Sequence, residues 1–489
     1  MAWQGVEIEI EVPCAEGQKH PVRLRCTGWG EFEVAYNPCE ELLGPVFARM
    51  AACTHYLHEE FPEAFRNDTD LKRRLVEALG KSGDPQAVPA LIKALGDGWD
   101  VVRRAAAEAL GRIGDPQAVP ALSVWAHAGE DAAHNALQTL GHPMLDLPQA
   151  VAQLAAQGAW GVLIRALPNE KVREAVVGLS TLAVPALIKA LGDDWYDVRR
   201  AAAEALGRSG EPQAIPALIQ ALGDSDWRVR GAAAEALGKL RDPQAVPALI
   251  QALGDSDWDV REAASKALGK IGDPQAVPHL IQALRDSDDK VRRAAAEALG
   301  NIGDPQAIPA LIQALGDRNS DVRRAAAEAL GNIGDPQAIP ALSQALKDDR
   351  GWRSEYVRGA AAEALAKIGT PAIPALIQAL RDSDDKVRRA AAEALVKIGT
   401  PAVPALIQAL GDNRGWRSEY VRGAAAVALG NIGDPQAIPA LTKRLQDRTE
   451  YVRNAAQRAI RQIQANSRAK PNRASQGRRN DDDTARAAD

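Results

Sequence analysis

Six tryptophans recur at one point of a repeating phrase: Trp99, Trp195, Trp227, Trp258, Trp352 and Trp416. Tyr196, Tyr356, Tyr420 and Tyr451 share that stretch. An indole on a turn can staple the turn onto its neighbour. It can also anchor a partner protein, because aromatic side chains dominate interface hot spots. Both readings stand at this level. A column of arginines follows the turns: Arg103, Arg199, Arg230, Arg261, Arg292, Arg323, Arg358, Arg388, Arg422 and Arg453. Some copies add a second arginine, as Arg104, Arg200, Arg293, Arg324 and Arg389, four residues before Glu108, Glu204, Glu297, Glu328 and Glu393. On a helix that spacing makes an ion pair. A groove lined by such pairs carries mixed charge and suits a polar protein surface better than a phosphate backbone. The candidate partner-binding set is therefore the six tryptophans together with Arg200, Arg293, Arg324 and Arg389.

Metal-ligating types are scarce. Cys53, His55, His58 and Glu59 form one cluster, and His127, His134 and His142 another. Zinc uses such ligands, but four-point sites show tighter pairs, so buried thiols and surface imidazoles are the default reading. His127 and His134 share a face only if one helix runs through Gly129, which the glycine opposes. No nucleophile triad, phosphate loop, zinc-peptidase motif or dinucleotide fingerprint interrupts the chain. No cofactor is expected, and the chain reads as non-catalytic.

The elements that hold these residues come from one phrase, DPQAVPALIQALGDSDWDVREAASKALGKIG at residues 242–272. Its Val-Arg pair recurs at Val198, Val229, Val260, Val291, Val322, Val357, Val387, Val421 and Val452. The first four steps are 31 residues and the next are 35, 30, 34 and 31. Such a period predicts a solenoid in which each copy covers its neighbour's apolar face. Each copy predicts two helices, A and B. Gly272 ends one helix, Asp273 caps the next, and Pro274 takes a first position whose missing N–H costs nothing. Helix A carries Val246, Leu249, Ile250 and Leu253 on one stripe, with Pro247 kinking or delaying it. Asp257 caps helix B, whose expected buried residues are Val260, Ala263, Ala264, Leu268 and Ile271.

The motifs DPQAVPALIQAL and VRRAAAEALGKIG resemble HEAT repeats, specifically the short alanine-rich type of bacterial phycobilin-lyase-like proteins, over roughly residues 39–465. The resemblance implies an all-α, right-handed superhelical solenoid. It also implies that the column arginine pairs with turn aspartates such as Asp224 or Asp255, forming a ladder. Three functions follow from it. The first is a protein-interaction scaffold. The second is a chromophore lyase acting on phycobiliproteins. The third is an oxidoreductase of the deoxyhypusine hydroxylase kind, which needs repeated His-Glu pairs; here the only pair is His58-Glu59, so this reading is rejected.

The chain's 489 residues carry a net charge of −5 with both signs interleaved, which argues against general nucleic-acid binding by bulk charge. No apolar run is long enough to span a bilayer, and no basic-then-apolar start marks a signal peptide. The four cysteines lie near the N-terminus without paired spacing, so a reduced, cytoplasmic protein is expected.

Residues 1–38 fall outside the repeat. Val6, Ile8, Ile10 and Val12 alternate with acids, Val22, Leu24 and Cys26 with arginines, and Phe32, Val34 and Tyr36 with acids again. This predicts an antiparallel three-stranded β-meander cap, with the basic strand central and a helix over 39–61 covering it. The first repeats fill 39–122, a degenerate stretch expected to act as a hinge fills 123–182, and regular repeats run over 183–465 to a capping helix. Residues 466–489 form a polar tail predicted to be disordered.

Overall fold

The computed structural model describes residues 7–13, 19–28, 31–36, 69–350, 354–413 and 418–469. Trp352, Trp416, Cys53, His55, His58 and the helix expected over 39–61 lie outside the described residues. The chain divides into two compact units, Met1–Ala245 and Val246–Asp489.

In the first unit, strands Glu7–Pro13, Lys19–Gly28 and Glu31–Tyr36 pair antiparallel in that order. The register sets Glu7 opposite Arg25, Glu9 opposite Arg23, and Arg25 opposite Glu33. Helix Thr69–Ser82 follows, then the pair Val88–Ala94 and Asp100–Ile113. The degenerate stretch folds into helices Val119–His127, Asp131–Leu140, Leu147–Ala156, Trp160–Ala166 and Glu170–Val177. Regular pairs resume with Val184–Ala190 and Tyr196–Ser209, then Ile215–Ala221 and Trp227–Leu240.

In the second unit the A helices are Val246–Ala252, Val277–Ala283, Ile308–Ala314, Ile339–Ala345, Ile373–Ala379, Val403–Ala409 and Ile438–Lys443. The B helices are Trp258–Ile271, Asp289–Ile302, Ser320–Ile333, Ser354–Ile368, Asp385–Ile398, Ser418–Ile432 and the closing Glu450–Ala469.

The junction residues account for these boundaries. Gly272 takes a left-handed φ of 80° and ends its helix. Asp273 Oδ1 then accepts the Gln275 N–H at 2.8 Å, capping the short 3-10 turn Pro274–Ala276. Only then does the α-helix start, with Pro278 in its first turn. The same device places Pro247 at the second residue of its helix, so that proline delays the helix and does not kink it. Asp257 Oδ1 accepts the Asp259 N–H at 2.9 Å and starts helix B.

Helix B owes its tight packing to small residues. A Cβ on Gly300 would stand 2.6 Å from the Ala329 Cα of the next B helix, and one on Gly269 the same distance from Ala298. Gly207 meets Ala236 in the same way in the first unit. Backbones touch here, so nothing larger fits. Val260, Ala264 and Leu268 are fully buried, as the stripe predicts. Ile271 differs from expectation: it is half-buried, as the last residue of its helix before the Gly272 cap, where no further turn covers it.

Candidate partner-binding edge

The A–B turn is built from aspartates. Asp224 Oδ1 accepts the Asp226 N–H at 2.8 Å, which folds the turn back on itself. The column arginine grips two turns at once. Arg199 Nη1 donates to the carbonyls of Asp193 and Asp194, at 2.9 and 3.1 Å. Its Nε and Nη2 donate to the Asp224 carboxylate of the next repeat, at 2.7 and 2.8 Å. Arg261–Asp286, Arg292–Asp317, Arg323–Asp348 and Arg422–Asp447 repeat that bidentate pair. Burial pushes the Asp224, Asp286, Asp317 and Asp447 carboxyls up, but the paired arginine and a backbone N–H outweigh it and hold them below the usual range. At these five positions the column ties repeat to repeat, whereas Arg103 meets Glu130 and Arg388 meets Asp385 of its own helix.

The second arginines are surface groups. Arg200 donates to Glu204 at 2.8 Å and Arg324 to Glu328 at 2.8 Å, the predicted pairs. Arg293 lies 3.6 Å from Glu297 and also reaches back to Glu262 at 3.3 Å. Two expected pairs are replaced. Arg104 meets Asp100 while Glu108 goes to Arg112. Arg389 meets Asp385 and is 70 % exposed. An acid in the helix's first turn, four residues before the arginine, competes with the one four residues after it.

The aromatic row divides into two kinds. Some members already hold a cation of their own chain. Lys290 Nζ lies 3.8 Å from the Trp258 ring centre, and the Arg228 guanidinium 4.7 Å from Trp227 and 5.1 Å from Tyr196. Arg388 covers Tyr420 at 4.7 Å. Trp227 is clasped by the residue after it, while Trp258, Tyr196 and Tyr420 each meet a cation from a neighbouring repeat, so these rings act first within the array.

Trp99 and Trp195 are different. The degenerate stretch between them folds so that the two indoles meet edge to face, 5.5 Å apart at 87°. Arg165, on the helix between their repeats, sets this contact. Its Nε donates to the Gly96 carbonyl at 3.3 Å, and its Nη1 and Nη2 to the Asp193 carboxylate at 3.0 and 3.2 Å. Trp195 Nε1 also lies over Gly98, where any Cβ would collide with it. The indoles stay 41 % and 39 % exposed, with Val101 and Tyr196 exposed beside them. Sequence reasoning missed Arg165; its one signal is an arginine at an A-helix position that regular repeats give to lysine or glutamine.

The histidines do not converge. His127 ends one helix, Gly129 turns the chain with φ 96°, and His134 lies on the next helix. His127 Nε2 pairs with the Leu145 carbonyl at 2.9 Å, a link within the degenerate stretch. Trp125, buried in that stretch under Arg103, is an aromatic outside the turn row. Among the described residues no cluster of His, Cys, Asp or Glu could hold a metal, and no single helix is long and apolar enough to cross a membrane.

Stacked A–B pairs joined by an Arg–Asp ladder define a tandem helical-repeat protein. The HEAT-repeat family profile matches residues 63–141 and, in overlapping segments, 162–488, so the chain belongs to the HEAT-repeat family. Among curated protein sequences none matches. Solved structures similar to it include human deoxyhypusine hydroxylase, at 26 % identity over 52 % of this chain and 96 % of that one, TM-score 0.25. The complex of CpcE and CpcF of phycocyanin lyase from Nostoc sp. PCC7120 aligns at 28 % identity over 51 % and 93 %, TM-score 0.30. Importin beta aligns at 18 % identity over 86 % and 68 %, TM-score 0.43. At these TM-scores the likenesses carry no functional argument.

Proposed function

We propose that this chain is a non-catalytic scaffold that holds a protein partner along its A–B turn edge, with the mixed-charge B-helix surface of Arg200, Arg293, Arg324 and Arg389 beside it. The observation that supports the reading is the placement of aromatics. Leu, Ile, Val and Ala fill the core, while Trp99, Trp195, Tyr196, Tyr356, Tyr420 and Tyr451 stand exposed at the turns. Among the described residues the regular repeats pack without a buried aromatic, the buried Trp125 belonging to the degenerate stretch, and exposed aromatic clusters mark interaction surfaces. The alternative, lyase-like action on a phycobiliprotein, rests on the resemblance of the repeat. The test uses the chain as bait in lysate of its host. Capture of a discrete partner, weakened about tenfold or more when Trp99, Trp195, Trp227 and Trp258 are changed to Ala in a protein that keeps its helical circular dichroism, supports the scaffold. Undiminished capture by the fourfold variant moves the site elsewhere. A bilin absorbance band in the purified protein favours the lyase.

A further inference from the structure

We propose that the paired indoles of Trp99 and Trp195 receive a cationic side chain, and that the partner segment docking there bears arginine. The proposal rests on the scaffold reading above and adds the chemistry of the partner.

The argument begins with what the row does elsewhere. At Trp258, Trp227, Tyr196 and Tyr420 a lysine or arginine of this chain lies over the ring. An aromatic at the turn and a cation against its face is therefore the recurring contact of this edge. Trp99 and Trp195 depart from it. Among the described residues neither carries a cation; each has the other's edge or face instead. Edge-to-face packing leaves ring surface open, and both indoles are about two-fifths exposed, at 41 % and 39 %.

The surroundings favour positive charge. Asp100 follows Trp99, and Asp194 and Asp197 flank the Trp195-Tyr196 pair. The Asp100 and Asp197 side chains are 58 % and 46 % exposed, and their own partners, Arg104 and Arg200, stand off at 3.4 and 3.6 Å. Exposed pairs of that length hold little energy and exchange readily for an incoming guanidinium. Such a group can stack on an indole while its N–H groups reach a carboxylate in the same plane, which an ammonium cannot do. An acidic or phosphorylated segment would meet these carboxylates with repulsion. The site is also pre-formed: Arg165 ties the Gly96 and Asp193 turns together, and Gly98 leaves room for the Trp195 ring.

The experiment titrates the full chain with a fluorescent peptide of alternating glycine and arginine, and with the same peptide carrying citrulline for arginine. The arginine peptide is expected to bind and to quench tryptophan emission, with the citrulline form at least tenfold weaker. Gly98→Ala, which displaces the Trp195 ring, is expected to weaken binding about tenfold. The surface double change Asp100→Asn with Asp194→Asn keeps the fold and is expected to weaken binding and flatten its salt dependence. The exposed-acid control Glu363→Gln, on a B helix of the second unit, should bind like the native chain. Equal binding of the citrulline peptide, native affinity in the double Asn variant, or no binding of the arginine peptide to the native chain would each overturn the proposal. If the peptide fails while partner capture still depends on the turn aromatics, the cationic assignment falls and the scaffold reading stands.

Discussion

At the scale of single residues, side chains that act on their own backbone were legible. Asp273 and Asp257 cap the segments their positions announce, because an Asx side chain reaches an N–H two residues on whatever the fold does. The Trp99–Trp195 contact was not legible, since it depends on how an irregular stretch folds between them. Arg241 shows what the rule costs when broken. Regular copies put glycine at the helix C-terminus in the left-handed region, but here Arg241 holds φ 55°. A β-carbon is strained there. Arg241→Gly is expected to stabilise the chain by about 0.5–1 kcal/mol, read as a higher midpoint of urea unfolding; an unchanged or lower midpoint would mean that the arginine's contacts outweigh its strain.

At the scale of elements, helix pairing was legible because alanine and glycine recur with the helical period, yet the closeness of each pairing was not. Gly269, Gly300 and Gly331 each face an alanine of the next B helix, with Cβ-to-Cα distances of 2.6 Å. The corresponding residues of the two repeats with Gly-Thr-Pro junctions are Ala366 and Val396, both half-buried. In helix Asp385–Ile398 the flanking Ala390 and Ala392 are half-exposed as well, whereas Ala294 and Ala296 of helix Asp289–Ile302 are fully buried. One repeat position therefore exists in a tight and a loose packing. Gly300→Val should force two backbones apart and cost about 2–3 kcal/mol or more, with faster amide exchange through helix Asp289–Ile302. Val396→Gly relieves no contact and should cost about 1–2 kcal/mol, from glycine's helix propensity and the half-buried side chain it removes. Equal losses at the two positions would refute the distinction.

At the scale of the whole molecule, the tandem architecture follows from the period, because each copy is one unit of packing, and Arg–Asp rungs such as Arg199–Asp224 and Arg292–Asp317 join successive copies. The rungs make stability depend on pH collectively. Asp224 in the first unit, and Asp286, Asp317, Asp348 and Asp447 in the second, all titrate below the ordinary carboxylate value when folded. Burial opposes this, and the arginine hydrogen bonds with the backbone N–H donors overcome it. A carboxyl whose folded value is depressed binds its proton more readily in the unfolded chain. Its contribution is therefore complete above the unfolded value, about pH 4, and is lost as pH falls through the folded one. The urea midpoint should be level from about pH 8 to 5 and then fall below about pH 4, since each rung adds its own lost contribution as it protonates. The buried rung is the sharpest check. Arg323 and Asp348 are each 1 % exposed, so Asp348→Asn leaves a buried guanidinium facing a neutral amide. That variant should lose about 3 kcal/mol or more at pH 7 and show a shallower acid fall than the native chain, because one protonation has already been made permanent. A native-like acid slope in Asp348→Asn would place the pH dependence outside the ladder.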